Sequence, residues 1–144
     1  SVYGPNDYEK SLITMSISNM LQNKECFFTE CLQKWNYLYV DDAANALISL
    51  GMEKCQDGIY NVASYETKKL KEFVYMIYYT IKSKSKLNFS KNKEEGGKIV
   101  TMDPNINKIT TETTWRPKTT FETGIRRIIK QFCISQENIR QLRR

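Results

Sequence analysis

The sequence predicts a single α/β domain, a mixed α+β arrangement in which helices alternate with short strands. The 144 residues, 40% hydrophobic and 26% charged, match the size and composition of one soluble domain. Short apolar runs alternate with segments of helical period, and no internal repeat is visible. No apolar run is long enough to span a membrane. We therefore treat residues 1–144 as one domain without a membrane segment.

The chain is expected to open on the end of a strand. Residues 1–7 run from Val2 and Tyr3 into Gly4 and Pro5, which are turn formers. Mostly helical spacing of apolar residues predicts a helix over residues 9–23. The short apolar run that follows, Cys26–Thr29, suits a buried strand.

A second strand-to-helix unit follows. Residues 35–40 alternate loosely, which favours a strand, and they end at Asp41 and Asp42. Carboxylates at a helix start satisfy free backbone N–H groups and the helix dipole, so we expect both to be caps. The predicted helix covers Ala43–Leu50 and stops at Gly51.

The strongest helical signal lies in the middle of the chain. A short strand is predicted over Gly58–Val62, after a glycine turn. A helix is then predicted to begin at Thr67. Its apolar residues recur at spacings of three and four, the pattern of an amphipathic helix. They are Leu70, Phe73, Val74, Ile77 and Tyr78.

The last third carries weaker signals. Short strands are predicted at Leu87–Phe89 and at residues 98–102, within and after a loop rich in Lys, Ser and Gly. Residues 105–113 are Thr-rich and predict at best a weak helix. The final helix is predicted from Gly124 to about Phe132.

Several site chemistries are excluded by residue type. The chain has no His, which removes Ser-His and Cys-His nucleophile pairs and a His base. The cysteines lack CxxC spacing, so a zinc site would need all of them to converge. They are Cys26, Cys31, Cys55 and Cys133. We expect reduced thiols of a cytosolic protein and no metal site.

The net charge of +6 is unevenly distributed, with basic residues crowding the C-terminal tail and residues 82–93. Such a surplus attracts nucleic acid or anionic ligands. A solvated surface is the preferred interpretation. The chain carries no recognised nucleic-acid reader motif.

Four segments, in this order, resemble the extended short-chain dehydrogenase/reductase family of NAD-dependent nucleotide-sugar epimerases and dehydratases. They are Val2–Asp7 (VYGPND), Tyr37–Ala46 (YLYVDDAANA), Gly58–Ser64 (GIYNVAS) with Leu70–Glu72, and Trp115–Ile125 (WRPKTTFETGI). The resemblance implies the C-terminal substrate domain with the last strands and helices of a Rossmann-type fold. It also implies that the N-terminal dinucleotide-binding half is absent from these residues, since no Gly-rich turn after a strand occurs.

The resemblance implies that the catalytic residues lie outside this chain. In the family, NAD or NADP takes a hydride from the sugar, and a Tyr four residues before a Lys acts as acid and base on a helix that precedes the Tyr-Gly-Pro segment. Here that segment begins at residue 3, so no catalytic residue is expected within the chain. Two pairs share the spacing by chance, Tyr65 with Lys69 in a loop and Tyr78 with Lys82 on a core stripe.

The resemblance also implies binding residues. Tyr3, Gly4 and Pro5 would lie beside the cofactor. Phe28 would offer its ring to the nucleotide base, or serve as an ordinary core residue. Trp115 is expected to be a core anchor.

The family's diphosphate-binding arginines are replaced. Trp35 stands at the first Arg position with Lys34 beside it, and residues 94–98 stand at the second. Either Lys34, Lys93 or Lys98 serves as a point charge, or the head group sits differently. The Trp-Asn-Tyr form resembles the abequose-synthase-like branch, which implies a CDP-sugar reductase or epimerase as one candidate parent.

We therefore expect a part of a nucleotide-sugar epimerase, dehydratase or reductase that is inactive alone and does not bind NAD or NADP tightly. Its expected partners are a nucleotide sugar and the missing Rossmann half. One alternative is a non-enzymatic module that holds a nucleotide sugar or another anion with Phe28, Trp35 and nearby lysines. The other is nucleic-acid binding through the basic tail. Without its neighbouring strands, the strand near Tyr60 would be an exposed edge, which predicts self-association.

Overall fold

The structure is a computed structural model that describes residues 1–90 and 100–142, with side chains described up to Ile134 in the last helix. Helices and short strands alternate as the sequence predicts. In chain order the elements are β1 (Val2–Tyr3), α1 (Leu12–Leu21), β2 (Cys26–Phe28), β3 (Lys34–Asn36), β4 (Leu38–Tyr39), α2 (Val40–Met52), β5 (Thr67–Lys69), α3 (Leu70–Ile81), β6 (Leu87–Phe89), α4 (Asn107–Glu112) and α5 (Phe121–Leu142).

The described strands form three separate pairs. β1 lies parallel to β4, with Val2 opposite Leu38 and Tyr3 opposite Tyr39. β2 lies parallel to β6, and β3 runs antiparallel to β5. The mixed α+β class is confirmed, and each pair packs against helices and not against a second sheet.

The predicted helices exist with shifted ends. α2 begins at Val40 and ends one residue beyond Gly51. Thr67 does not start a helix: residues 67–69 pair with β3 as β5, and α3 starts at Leu70. α5 begins three residues before Gly124 and continues well past Phe132.

The strand predicted over Gly58–Val62 is wrong. The segment pairs with no strand in the described part of the chain, and Ile59 is 91% exposed. Side-chain bonds to the region of α4 hold it in place: Tyr60 donates to the Glu112 carboxylate and Asn61 donates to the Asn105 carbonyl oxygen. The predicted exposed edge near Tyr60 therefore does not form.

The strand predicted at residues 98–102 is also not seen. Residues 91–99 lie outside the described residues, and residues 100–102 form no regular element. The Met102 amide still donates to the Lys34 carbonyl oxygen at 3.0 Å. This segment therefore runs beside β3 without forming a strand.

The larger core is an aromatic cluster between β1, α3 and α5. Tyr3 packs against Tyr37, Tyr39 and Phe121 at ring-centroid distances of 5.2 to 5.9 Å. Phe73 of α3 packs on Phe121 at 4.6 Å. Burial raises the pKa of Tyr37 to about 12 and that of Tyr3 further, so both hydroxyls stay protonated.

A buried amide joins β3 to the segment before β5. The Asn36 side chain donates to the carbonyl oxygens of Ser64 and Glu66, and its Oδ1 accepts from the Ser64 amide at 3.0 Å. These bonds satisfy backbone groups of Ser64 and Glu66, which lie outside the paired strands. Asn36 therefore fixes the path of the segment before β5.

The expectation that Asp41 and Asp42 cap α2 is wrong. Tyr39 occupies the cap position and makes no side-chain cap bond. Asp42 is buried, and its Oδ2 accepts from the backbone amides of Lys118 and Thr119 at 3.1 and 2.7 Å. Asp41 is exposed and pairs with Arg127.

Trp115 is confirmed as a core anchor. The residue is buried with Leu38 and Ala46 in a second cluster. Its indole Nε1 donates to the Asp42 carbonyl oxygen at 2.9 Å. Trp115 and Asp42 together hold the loop that leads into α5.

All four cysteines are free, and burial raises the pKa of the Cys26 and Cys31 thiols. None of the described helices has both the length and the hydropathy to cross a bilayer.

Two glycines in helices give a matched test of the packing between β1 and α5. A Cβ on Gly124 would collide with the Tyr3 ring, whereas a Cβ on Gly51 would meet nothing within 4 Å. Gly124→Ala should lower the free energy of unfolding by about 1–3 kcal/mol, because the core is already full. Gly51→Ala should raise it by about 0.5–1 kcal/mol through helix propensity. Urea unfolding measures both. A Gly124→Ala protein as stable as the parent would contradict the packing described here.

Candidate functional site

An open cavity of about 620 Å³ lies beside the loop that follows β1. The loop forms one wall, α1 a second and α5 a third. Its lining residues are Gly4, Pro5, Asn6, Asp7, Glu9, Thr14, Met15, Ser18, Asn19, Ile128, Gln131 and Phe132. Three segments that are distant in sequence thus meet at one concave surface.

The turn at Gly4 is held tightly. A Cβ on Gly4 would lie 2.5 Å from Val40 Cγ1, so this position has no room for a side chain. Asn6 adopts the left-handed conformation at φ 60°, which Asn tolerates well. Ser11 then caps α1 by accepting from the Thr14 amide at 3.2 Å. The loop therefore reaches the cavity in one defined path.

The cavity offers neutral hydrogen-bonding groups and carboxylates. Amides come from Asn6, Asn19 and Gln131, and hydroxyls come from Thr14 and Ser18. Gln131 Nε2 already donates to Asn6 Oδ1 at 3.3 Å, which joins α5 to the loop.

Apolar surface and negative charge complete the lining. Pro5, Met15 and Phe132 supply apolar contact, and Asp7 and Glu9 supply the charge. None of the lining residues in the described part of the chain is Lys or Arg. A hydroxyl-rich ring with apolar C–H faces suits this lining, and a diphosphate does not.

The residues predicted to lie beside the cofactor divide into two groups. Gly4 and Pro5 line the cavity. The Tyr3 side chain points into the aromatic core, where its hydroxyl donates to the Phe121 carbonyl oxygen at 3.3 Å. Tyr3 is therefore a core residue outside the cavity lining.

The residues predicted to bind the diphosphate lie on β3, outside the cavity lining. Lys34 is exposed, and the half-buried Trp35 donates from its indole Nε1 to Ser1 Oγ at 2.9 Å. Ser1 is three residues from Gly4, a chain length of at most about 11 Å. The Trp35 indole is therefore linked through Ser1 to the chain segment that leads into the Gly4 turn. Lys93 and Lys98 lie outside the described residues.

Phe28 has less free surface than the sequence suggests. Its ring stacks on Phe89 of the paired strand at 5.3 Å, and it packs against the main core. The preceding residue, Phe27, is 72% exposed on the opposite face of β2. Phe27 therefore exposes more of its ring than Phe28 does. Strand alternation with Cys26 buried is the signal that could have identified it.

The two Tyr and Lys pairs are not arranged as a catalytic pair. Tyr65 is exposed in the loop before β5, and Lys69 ends β5. Tyr78 packs on the core from α3, and Lys82 follows the end of α3 in the left-handed conformation. Neither pair places Tyr and Lys one turn apart on the same helix.

The chain is similar in sequence to known proteins. The family model of the NAD dependent epimerase/dehydratase family matches residues 1–63. The dTDP-glucose 4,6-dehydratase of Escherichia coli is 28% identical over 139 residues, which cover 90% of this chain and 38% of that protein. The CDP-abequose synthase of Salmonella muenchen is 25% identical over 130 residues, covering 89% and 44%. The chain thus spans less than half the length of these relatives.

Solved structures share the fold. The UDP-glucose 4-epimerase of Thermotoga maritima, solved with UDP-glucose, has a TM-score of 0.83 at 18% identity, covering 94% of this chain and 44% of its own. The dTDP-glucose 4,6-dehydratase of Bacillus anthracis, solved with NAD, has a TM-score of 0.81 at 24% identity, covering 95% and 43%. At these identities the likeness establishes the architecture alone.

Proposed function

We propose that this chain, which is related to the NAD dependent epimerase/dehydratase family, forms the nucleotide-sugar side of a substrate cleft and is not catalytic alone. The complete enzyme would use NAD or NADP to oxidise or reduce the sugar as an epimerase, dehydratase or reductase. The described Tyr and Lys pairs offer no catalytic arrangement, so the reacting groups would be supplied by another part of the protein.

The cavity beside Gly4 and Pro5 is the observation that carries this proposal. Its amides, hydroxyls and apolar faces suit a sugar ring, and it opens at the turn that the family resemblance assigns to the cofactor. A dinucleotide would approach the Gly4–Pro5 turn from the cavity, because Val40 already fills the side on which a Gly4 side chain would project. The sugar would then lie between the cofactor and the amides of α1 and α5.

The charged and aromatic parts of the ligand belong outside the cavity. The carboxylates of Asp7 and Glu9 would repel a diphosphate within it. The exposed Lys34 on β3 would supply a positive charge for the diphosphate. Trp35 stands beside Lys34, and the exposed ring of Phe27 offers a stacking surface for the base.

A second candidate is a binding module without chemistry. It is favoured by one observation: the amides and hydroxyls of the cavity lining suit a sugar without any group from a cofactor. Such a module would hold a nucleotide sugar with no cofactor requirement. Calorimetry distinguishes the two functions by measuring the affinity of the chain for the nucleotide sugar, first alone and then with the rest of the enzyme and NAD added. An affinity that these additions do not change would favour the binding module.

Filling the cavity should abolish sugar-nucleotide binding. Ser18→Phe places a ring in the cavity, whereas Ser49→Phe on α2 changes a serine outside it. Calorimetry with UDP-, dTDP-, GDP- and CDP-glucose should show binding of at least one ligand, weakened at least tenfold by Ser18→Phe and little by Ser49→Phe. No binding by any of the four, or equal affinity in the Ser18→Phe protein, would contradict the assignment.

The 144-residue chain alone is not expected to bind the cofactor tightly. Low-micromolar binding of NADH to this chain would overturn that expectation.

The exposed aromatic ring gives a second test. Phe27→Ala should weaken the binding of the nucleotide sugar by about 1–2 kcal/mol, or roughly five- to thirtyfold in affinity, because the base loses the ring on which it stacks. It should leave the stability of the protein nearly unchanged. Phe28→Ala should lower stability through lost core packing, at about 3 kcal/mol or more. If Phe28→Ala reduces affinity in the folded protein and Phe27→Ala does not, the base lies on Phe28.

A further inference from the structure

Two side-chain amides meet at the wall of the cavity. Asn6 belongs to the loop after β1 and Gln131 belongs to α5, and both line the cavity. Gln131 Nε2 donates to Asn6 Oδ1 at 3.3 Å. We call these two residues the amide pair. They are 125 residues apart in the chain, so only the tertiary fold brings them together.

The amide pair leaves one donor group and one acceptor group for a ligand. Each amide has a carbonyl oxygen that accepts and an NH₂ group that donates. The bond between the two side chains uses the oxygen of Asn6 and one hydrogen of Gln131. Asn6 Nδ2 and Gln131 Oε1 have no hydrogen-bond partner in the described part of the chain. Exchanging oxygen and nitrogen in both amides gives the same result, one free carbonyl oxygen and one free NH₂ group.

The backbone of the loop holds Asn6 in a defined position. Asn6 has a φ of 60°, in the left-handed region that Asn tolerates better than most residues. Before it, Val40 packs against the bare backbone of Gly4. After it, Asp7 Oδ1 accepts from the Tyr8 amide at 2.7 Å. A ligand that binds Asn6 therefore orders little additional backbone, which favours its affinity.

Helix α5 places Gln131 beside apolar surface. The helix is packed closely on the core at Gly124, where the Tyr3 ring leaves no room for a Cβ. Gln131 follows Gly124 by two helical turns and so lies on the same side of α5. Ile128 and Phe132, its neighbours on the helix, also line the cavity. The free amide groups and an apolar patch therefore stand next to each other.

This combination matches two adjacent hydroxyls of a sugar ring. A hydroxyl both donates and accepts, so one hydroxyl accepts from the free NH₂ group and its neighbour donates to the free carbonyl oxygen. The C–H groups of the ring then lie on the apolar patch. A carboxylate or phosphate only accepts, and it would also be repelled by Asp7 and Glu9 in the same lining. The group bound here is therefore neutral.

We propose that Asn6 and Gln131 are specificity-determining residues that bind two adjacent hydroxyls of a neutral sugar ring. The inference rests on the proposed function and names the substrate class of that site, a nucleotide sugar that retains both hydroxyls. A site built to hydrogen-bond a hydroxyl rejects an analogue that lacks it, because the polar groups of the site are left unpaired. A sugar that is deoxygenated at either position therefore binds more weakly.

Calorimetry tests the proposal by isolating the contribution of the sugar. UDP-, dTDP-, GDP- and CDP-glucose are each compared with their own nucleoside diphosphate. Asn6→Gly removes the amide but keeps the left-handed backbone, which glycine adopts without strain. Gln131→Leu removes the second amide and keeps a side chain of similar size. Each variant should weaken every glucose conjugate that binds the parent chain at least fivefold, and the matching nucleoside diphosphate less than twofold.

Asn23→Gly is the matched control, since Asn23 is also left-handed, at φ 52°, and lies outside the cavity lining. It should leave all affinities unchanged, and circular dichroism checks that each variant is folded. A glucose conjugate that binds the parent chain and both cavity variants alike would overturn this inference alone. So would a cavity variant that weakens the nucleoside diphosphate as much as its glucose conjugate. Binding of none of the four glucose conjugates to the parent chain would instead overturn the proposed function, and this inference with it.

Discussion

The contact between the Tyr3 ring and the bare backbone of Gly124 sets the geometry on which the candidate site depends. Tyr3 ends β1 and leads directly into Gly4 and Pro5, while Gly124 lies in the first turn of α5. Ile128 and Gln131 follow Gly124 at helical spacings of four and seven and so lie on the same side of α5, at the cavity. The distance between the Tyr3 ring and Gly124 therefore sets the distance between two cavity walls, which are the loop after β1 and helix α5.

The sequence predicted elements whose cause is local. The spacing of Leu70, Phe73 and Ile77 gives α3, and the apolar run at Cys26 gives β2. Two failures have a tertiary cause. Tyr60 lies in an apolar run typical of a strand, but the side chain of Glu112, 52 residues away, determines its path. Asp42 stands where a cap is expected, but two backbone amides more than 70 residues away take its carboxylate.

The candidate site was harder to predict than the fold, for the same reason. Gly4 and Pro5 were predicted from the family resemblance, but the polar groups of α1 and α5 carry no motif. Ser18 and Gln131 become a common surface only after the aromatic cluster has packed α3 and α5 against β1. The family resemblance pointed to Phe28, whereas strand alternation leaves Phe27 as the more exposed ring.

The charge of the cavity differs from the charge of the whole chain. The chain carries a net charge of +6, but the cavity is lined by carboxylates and neutral groups. In the proposed function, this arrangement would separate the sugar from the positive charge that holds the diphosphate.

In the proposed function, the cavity beside Gly4 receives the sugar of a nucleotide sugar. Amide NMR spectra of the chain, recorded while dTDP-glucose and UDP-glucose are added, test this placement. Shifts are expected at Gly4, Ser18, Asn19 and Gln131, together with Phe27, and little change is expected along α2. Shifts confined to other surfaces, or no shift at millimolar ligand, would contradict it.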